Sequence, residues 1–190
     1  MDVSGTVVLC VATVASLGAG DTAVVGQLGV DVPIGAVGIG AIILSAIYWI
    51  FGFLRVGTAG LTAQAIGAGD QGETNALLVR ALMIGFSAGF FFILLQVPLF
   101  WGAFQFAPTS PAVEGMAREY LGIRIYSAPA AIAIYGITGW LIAAGRTGEV
   151  LILQFFLNGL NIVLDFLFVL KFGWGVGGVA TATLIAEWSG

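Results

Sequence analysis

The sequence predicts an all-α fold, a polytopic membrane bundle of six helices, and three observations carry that expectation. Hydrophobic residues make up 59% of the 190 positions and charged residues 8%, with a mean hydropathy of +1.08, whereas a soluble domain carries roughly 25% charged residues. Apolar runs of about 20 residues recur along the chain, the length at which a helix crosses a hydrocarbon core about 30 Å thick. The 29 glycines would weaken helices in water, but in lipid they let helix backbones approach closely. Barrel strands are disfavoured because the runs lack a period-two alternation, and in lipid only helices or closed barrels satisfy the backbone.

The whole chain, 1–190, reads as a single transmembrane domain. Its first segment, 3–25, is interrupted by Gly18, Gly20 and Asp21 and is followed by a turn around "GQLGVDVP". The second, 34–66, passes Arg55 and runs into "AQAIGAGDQGE", whose glycines and charges predict a loop. The third, 76–104, stops at "APTSPAVEG", where prolines and small polar residues predict a turn. The fourth, 120–144, contains "YSAPAAIAIYG" with a kink expected at Pro129. The fifth, 150–172, follows "AGRTGE", and the sixth, 176–190, follows "GWGVGG". With almost no polar leader before the first segment and an apolar sixth one at the end, both ends read as truncated.

Composition also excludes whole classes of function. The net charge of −4 has no basic run behind it, so neither nucleic acid nor a polybasic lipid switch has a footprint. Cys10 is the single cysteine and histidine is absent, which removes intrachain disulfides, the common transition-metal sites and Ser/His or Cys/His catalysis. Two acids in the membrane do not make an aspartyl dyad without a flanking motif, so no enzyme and no cofactor is expected.

The segment "FLNGLNIVLDFLFVLKF" sets two amides and an acid into hydrocarbon. Offsets of three and seven residues place Asn158, Asn161 and Asp165 within about a 60° sector of one helical face. An ionised carboxylate at mid-membrane costs about 2.5–3.5 kcal/mol, so Asp165 needs a partner or a purpose. The amides offer hydrogen bonds or shared ligation of a cation. Oxygen-only ligands suit sodium, while burial raises a carboxylate's affinity for a proton, and both couplings stay open. Asp21 in "GAGDTAVVG" is a second intramembrane acid. The sixth segment adds Thr181, Thr183 and Glu187. A cavity lined by Asp21, Asn158, Asn161, Asp165 and Thr183 is the expected cation or proton site. Against it stand plainer roles: Asn158 and Thr181 as interhelical hydrogen-bond donors, Asp21 as an interfacial turn residue, Glu187 as a helix end, and Arg55 as a snorkelling or pairing residue.

At "DTAVVGQLG", "YWIFGFLRVGTAGLTAQAIGAGD", "IRIYSAPAAIAIYGITGWLIAAGRTG" and "NGLNIVLDFLFVLKFGWGVGGVATATLIAE" the sequence resembles the MATE (multidrug and toxic compound extrusion) family, and more narrowly its DinF-type subfamily. The pieces span nearly the whole chain in family order. The resemblance implies one amino-terminal lobe of a twelve-helix fold, the carboxy-terminal lobe being a missing partner. It also implies a multi-pass protein of the bacterial inner membrane that exports small organic, commonly cationic drugs or xenobiotics in exchange for sodium or protons. The family's first-helix acid matches Asp21, its fifth-helix Asn and Asp match Asn161 and Asp165, and its sixth-helix Thr matches Thr183. These four residues are therefore the implied sodium- or proton-coupling set.

Two other readings compete. A lipid-linked saccharide flippase of the same superfamily would need a cavity rich in Arg and Lys, and the chain carries only 6 such residues. A non-transporting structural subunit would follow if the chain worked alone. The six-helix topology puts "GAGDQGET" and "GRTGE" on one side, cytoplasmic by analogy with the family, and "GVDVP", "APTSPAVEG" and "KFGWG" on the other. Cysteines introduced at Gln71 and Thr109 are expected to react with an impermeant maleimide from opposite sides of the membrane, and labelling of both from one side would refute that topology.

Overall fold

A computed structural model of the chain describes residues 31–106 and 109–190, so the expected first helix, 3–25, and Asp21 with it lie outside the described residues. The described part is helical, with no strand among its elements. In chain order the helices are α1 (Asp31–Trp49), α2 (Gly52–Gly67), α3 (Gln71–Leu94), α4 (Gln96–Phe106) and α5 (Pro111–Arg124), then α6 (Ala128–Ala143), α7 (Thr147–Asp165) and α8 (Gly175–Ser189). A 3₁₀ turn, Ile125–Ser127, joins α5 to α6, and a π-helical turn, Phe166–Lys171, follows α7. Four continuous stretches are long and apolar enough to cross a membrane: Pro33–Gly67, Gln71–Leu94, Pro111–Ala143 and Thr147–Lys171.

Helix boundaries follow local chemistry. The expected loop "AQAIGAGDQGE" shrinks to Ala68–Asp70, because Asp70 caps α3. Its Oδ1 accepts the Glu73 N–H at 2.9 Å, and an acid followed three residues later by Glu is a helix-start signal. In the same way the turn "APTSPAVEG" ends at Ser110. The Ser110 hydroxyl accepts the Val113 N–H at 3.4 Å, and Pro111 enters α5 in its first turn, where its missing N–H has no intrahelical acceptor. The fourth segment therefore starts well before residue 120.

Prolines also break the long segments. Pro98 has no N–H for the carbonyl of Leu94 and its ring crowds that carbonyl, and α3 gives way to α4 at Leu95. Pro129 likewise leaves the Ile125 carbonyl without an α-helical donor. The Ala128 N–H serves it instead, three residues on, and the α-helix is interrupted by the 3₁₀ turn. The second segment is broken at Ile50–Phe51, where the Phe51 N–H reaches back three residues to the Tyr48 carbonyl at 2.9 Å.

Helix α6 lies at the centre, packed most extensively against α3 and α2. Small residues make this possible. A methyl at Gly89 would collide with the Pro129 backbone, one at Gly85 would lie 2.8 Å from the Ala133 Cα, and one at Gly139 would strike the Arg55 carbonyl. The Trp140 indole adds a polar tie, donating to the Thr74 carbonyl at 2.9 Å. On the other flank α1 packs on α5, and α5 and α7 both pack on α8.

Because the backbones on either side of Gly89 and Gly139 cannot move independently, alanine at either position is expected to destabilise the bundle by about 1–3 kcal/mol. Gly60→Ala, where none of the described residues lies within 4 Å of the added methyl, should be neutral or slightly stabilising. Unfolding of the purified variants in detergent checks the contrast, and equal stabilities for the three would remove the close-packing account.

Candidate functional site

The inward face of α7 is polar. Its buried residues are Val150, Leu151, Gln154, Leu157, Asn158, Asn161 and Asp165, spaced three or four apart so that they fall on one side. Ile152, Phe155 and Val163 on the opposite side are 69%, 61% and 64% exposed. In lipid this orientation is the expected one, since a polar side chain turned outward would face hydrocarbon without a partner.

Asn161 and Asp165 are fully buried and Asn158 nearly so. The Asn161 amide donates from Nδ2 to Thr183 Oγ1 of α8 at 2.9 Å, and that hydroxyl donates to the Val179 carbonyl at 3.0 Å. Thr183 is thereby fixed with its oxygen towards α7. The Asn161 Oδ1 is buried with no hydrogen-bond donor among the described residues, an oxygen lone pair suited to a cation or to a protonated neighbour. Asp165 lies one helical turn further along the same face.

Magnitudes separate stability from function here. An interhelical hydrogen bond in a membrane is worth about 0.6 kcal/mol on average, whereas the ionised acid costs about 2.5–3.5 kcal/mol. The Asn161–Thr183 bond by itself therefore contributes only a fraction of what an ionised Asp165 costs.

The remaining sequence candidates separate. Thr181 donates to the Gly177 carbonyl within its own helix at 2.7 Å. Glu187 does lie in the last turn of α8, and there the Arg124 guanidinium grips it through Nη1 to Oε2 at 2.8 Å and Nη2 to Oε1 at 3.2 Å. Arg124 is buried, because α5 begins at Pro111 and carries the residue into the bundle. Its Nη1 also donates to Ser127 Oγ at 2.7 Å. Gln154 was missed, although its place four residues before Asn158 continues the polar face. Arg55 is exposed, in keeping with a snorkelling role. No group of three or more His, Cys, Asp or Glu side chains able to hold a metal occurs among the described residues.

Comparison with known proteins follows from this geometry. The family model MatE matches residues 7–167. The chain is 40% identical to the DNA damage-inducible protein F of Escherichia coli over 93% of its own length and 39% of that protein's. It is 28% identical to the probable multidrug resistance protein NorM of Agrobacterium fabrum, over 88% of its length and 36% of the relative's. Among solved structures, a MOP superfamily transporter from Pyrococcus furiosus superposes with a TM-score of 0.86 at 25% identity, covering 98% of this chain and 41% of the other. A MATE protein in the bent conformation gives 0.84 at 25% identity over 93% and 39%. The chain thus spans about two fifths of the length of the proteins it matches.

Because an ionised carboxylate is the costliest group on this face to keep in lipid, Asp165→Asn is expected to raise the thermal midpoint of the purified chain, while Thr183→Val should lower stability by about 0.6 kcal/mol. A lower midpoint in Asp165→Asn would instead mark the carboxylate as a structural acceptor.

Proposed function

The chain belongs to the MatE family, and from that premise we propose that it forms one lobe of a secondary active antiporter, exporting organic cations, drugs or other xenobiotics against inward sodium or protons. Members of the family are transporters and not enzymes, and several membrane-length helices make this a multi-pass membrane protein. A bacterial inner membrane is the proposed location, by likeness to the Escherichia coli relative.

The observation that carries the reading is the buried set Asp165, Asn161 and Thr183, which joins a titratable carboxylate to neutral oxygens on two neighbouring helices. Alternating access requires a site near the bilayer midplane that trades occupants as it opens to either side, and a buried carboxylate set among neutral oxygens can take up and release a cation or proton. Sodium would be held by oxygens of Asp165, Asn161 and Thr183, and a proton by the Asp165 carboxylate. Asp21 is proposed as a fourth member. A second six-helix lobe, in the same chain or another, would supply the facing wall of the substrate path. A flippase for lipid-linked pyrophosphate is less well supported, since Arg124, the one buried Arg among the described residues, is already held by Glu187.

Reconstituted with a second lobe, Asp165→Asn is expected to insert and express at least as well as wild type yet lose gradient-driven export of a fluorescent organic cation from proteoliposomes. Asp21→Asn should act alike if both acids serve one site, with the double variant scarcely worse than either single one. Wild-type export rates in Asp165→Asn would return the residue to a structural role.

A further inference from the structure

Helix α8, "GVGGVATATLIAEWS", presents small and apolar residues on every side. In lipid no hydrophobic driving force distinguishes one rotation of such a helix from another, so packing and polar contacts between helices must set it. Two side chains of α8 a helical turn apart make those contacts to different neighbours. Thr183 accepts from Asn161 of α7 at 2.9 Å, and Glu187 accepts both arms of Arg124 at the end of α5 at 2.8 and 3.2 Å.

The second contact is the stiffer one. Arg124 stands where α5 passes into the 3₁₀ turn, and Ser127 in that turn clasps it twice, accepting from Nη1 at 2.7 Å and donating to the Arg124 carbonyl at 2.8 Å. Tyr48 of α1 and Tyr120 of α5 lie within electrostatic reach of the guanidinium. A planar fork on a carboxylate fixes direction as well as distance, which a single hydroxyl does not. Beside it the Trp188 indole donates to the Tyr126 carbonyl at 2.9 Å. Residues 183 and 187 share a helical face, so a rotation of α8 that breaks the fork also swings Thr183 away from Asn161.

We propose that Arg124 and Glu187 are positioning residues for the coupling site: their ion pair pins the rotation of α8 and so keeps the Thr183 hydroxyl at the Asn161–Asp165 cluster. The functional half of this inference rests on reading that cluster as the coupling site; the geometric half does not.

Two measurements on the purified chain in lipid nanodiscs separate the halves. In a Cys10→Ser background, cysteines at Asn161 and Thr183 report α8 rotation through cross-linking by a short bifunctional thiol reagent; with the Asn–Thr bond gone, the orientation falls to the ion pair, the Trp188–Tyr126 bond and packing, and only the first of these is altered in the test variant. The variant is Arg124→Gln/Glu187→Gln, which leaves no unpaired charge buried. Cross-linking is expected to fall several-fold and to recover in the charge exchange Arg124→Glu/Glu187→Arg. Without the cysteines, the sodium or proton concentration giving half-maximal thermal stabilisation should rise about tenfold in the neutral variant. Unchanged cross-linking overturns the inference whatever the titration gives, and so does a lower thermal midpoint with both other readouts unchanged, which is the mark of a merely structural pair. Reduced cross-linking in a protein whose wild type shows no sodium- or proton-dependent stabilisation upholds the pin and removes the coupling-site reading.

Discussion

Backbone contact across α6 is the constraint from which the arrangement of the other helices follows. In a bilayer, moving an apolar side chain from lipid to a helix interface gains little, so association depends on how closely two backbones pack and on the polar bonds that bridge them. Gly89 against Pro129, Gly85 against Ala133 and Gly139 against the Arg55 carbonyl bring α3 and α2 onto α6 at distances that leave no room for a methyl. Pro129 matters twice. It removes the donor that would have continued a single helix from α5, and it offers Gly89 a backbone with no N–H to be left unpaired. The same residue therefore ends one helix and seats another.

On the opposite flank, packing alone specifies less. There α8 meets α5 and α7 through small side chains, and a few polar bonds take over the task that shape performs around α6. The two kinds of bond differ in strength and consequence. A neutral bond such as Asn161–Thr183 contributes about 0.6 kcal/mol and is readily exchanged for a cation or a water. Removing one member of a buried ion pair leaves an uncompensated charge and costs about 3–5 kcal/mol. The bundle thus sets an exchangeable polar contact and a durable one on consecutive turns of the same helix, the exchangeable one next to the acid.

What was legible in the sequence was what short-range periodicity encodes. Asn158, Asn161 and Asp165 lie on one face because three- and seven-residue offsets put them there, and a polar face within an apolar run must turn inward. The interruption near Pro129 follows from a missing donor four residues downstream. Pro98 carries the same signal and its break at Leu95 went unread, as did the capping pair Asp70 and Glu73. Gln154 sits on the polar face at a readable spacing, four residues before Asn158. The Arg124–Glu187 pair was beyond reach of such reasoning. Its members are 63 residues apart, and each alone reads as a charge at a membrane boundary. Asp21 lies outside the described residues, and its place beside Asp165 rests on the sequence alone.

The backbone beyond Asp165 bears on how such a site can change state. Helix α7 does not continue as an α-helix past the acid but widens into the π-helical turn Phe166–Lys171, with the Phe172 N–H bonded five residues back to Leu167 at 3.1 Å. The wider turn is held at its far end by apolar contact, Phe168 stacking on Trp174 at 5.0 Å between ring centres. A π turn carries one residue more than an α-helix closing the same span, and such segments are frequent at functional sites. The inward face continues past Asp165, but its next positions, Phe168 and Val169, are apolar, so the polar stripe does not extend towards Lys171. Stripe and acid stop together: the segment beyond turns Phe168 and Val169 inward, and the buried carboxylate is bounded on that side by hydrocarbon. Polar continuation from Asp165 runs instead back along α7 through Asn161 to Thr183, and from there along α8 to the Arg124–Glu187 pair.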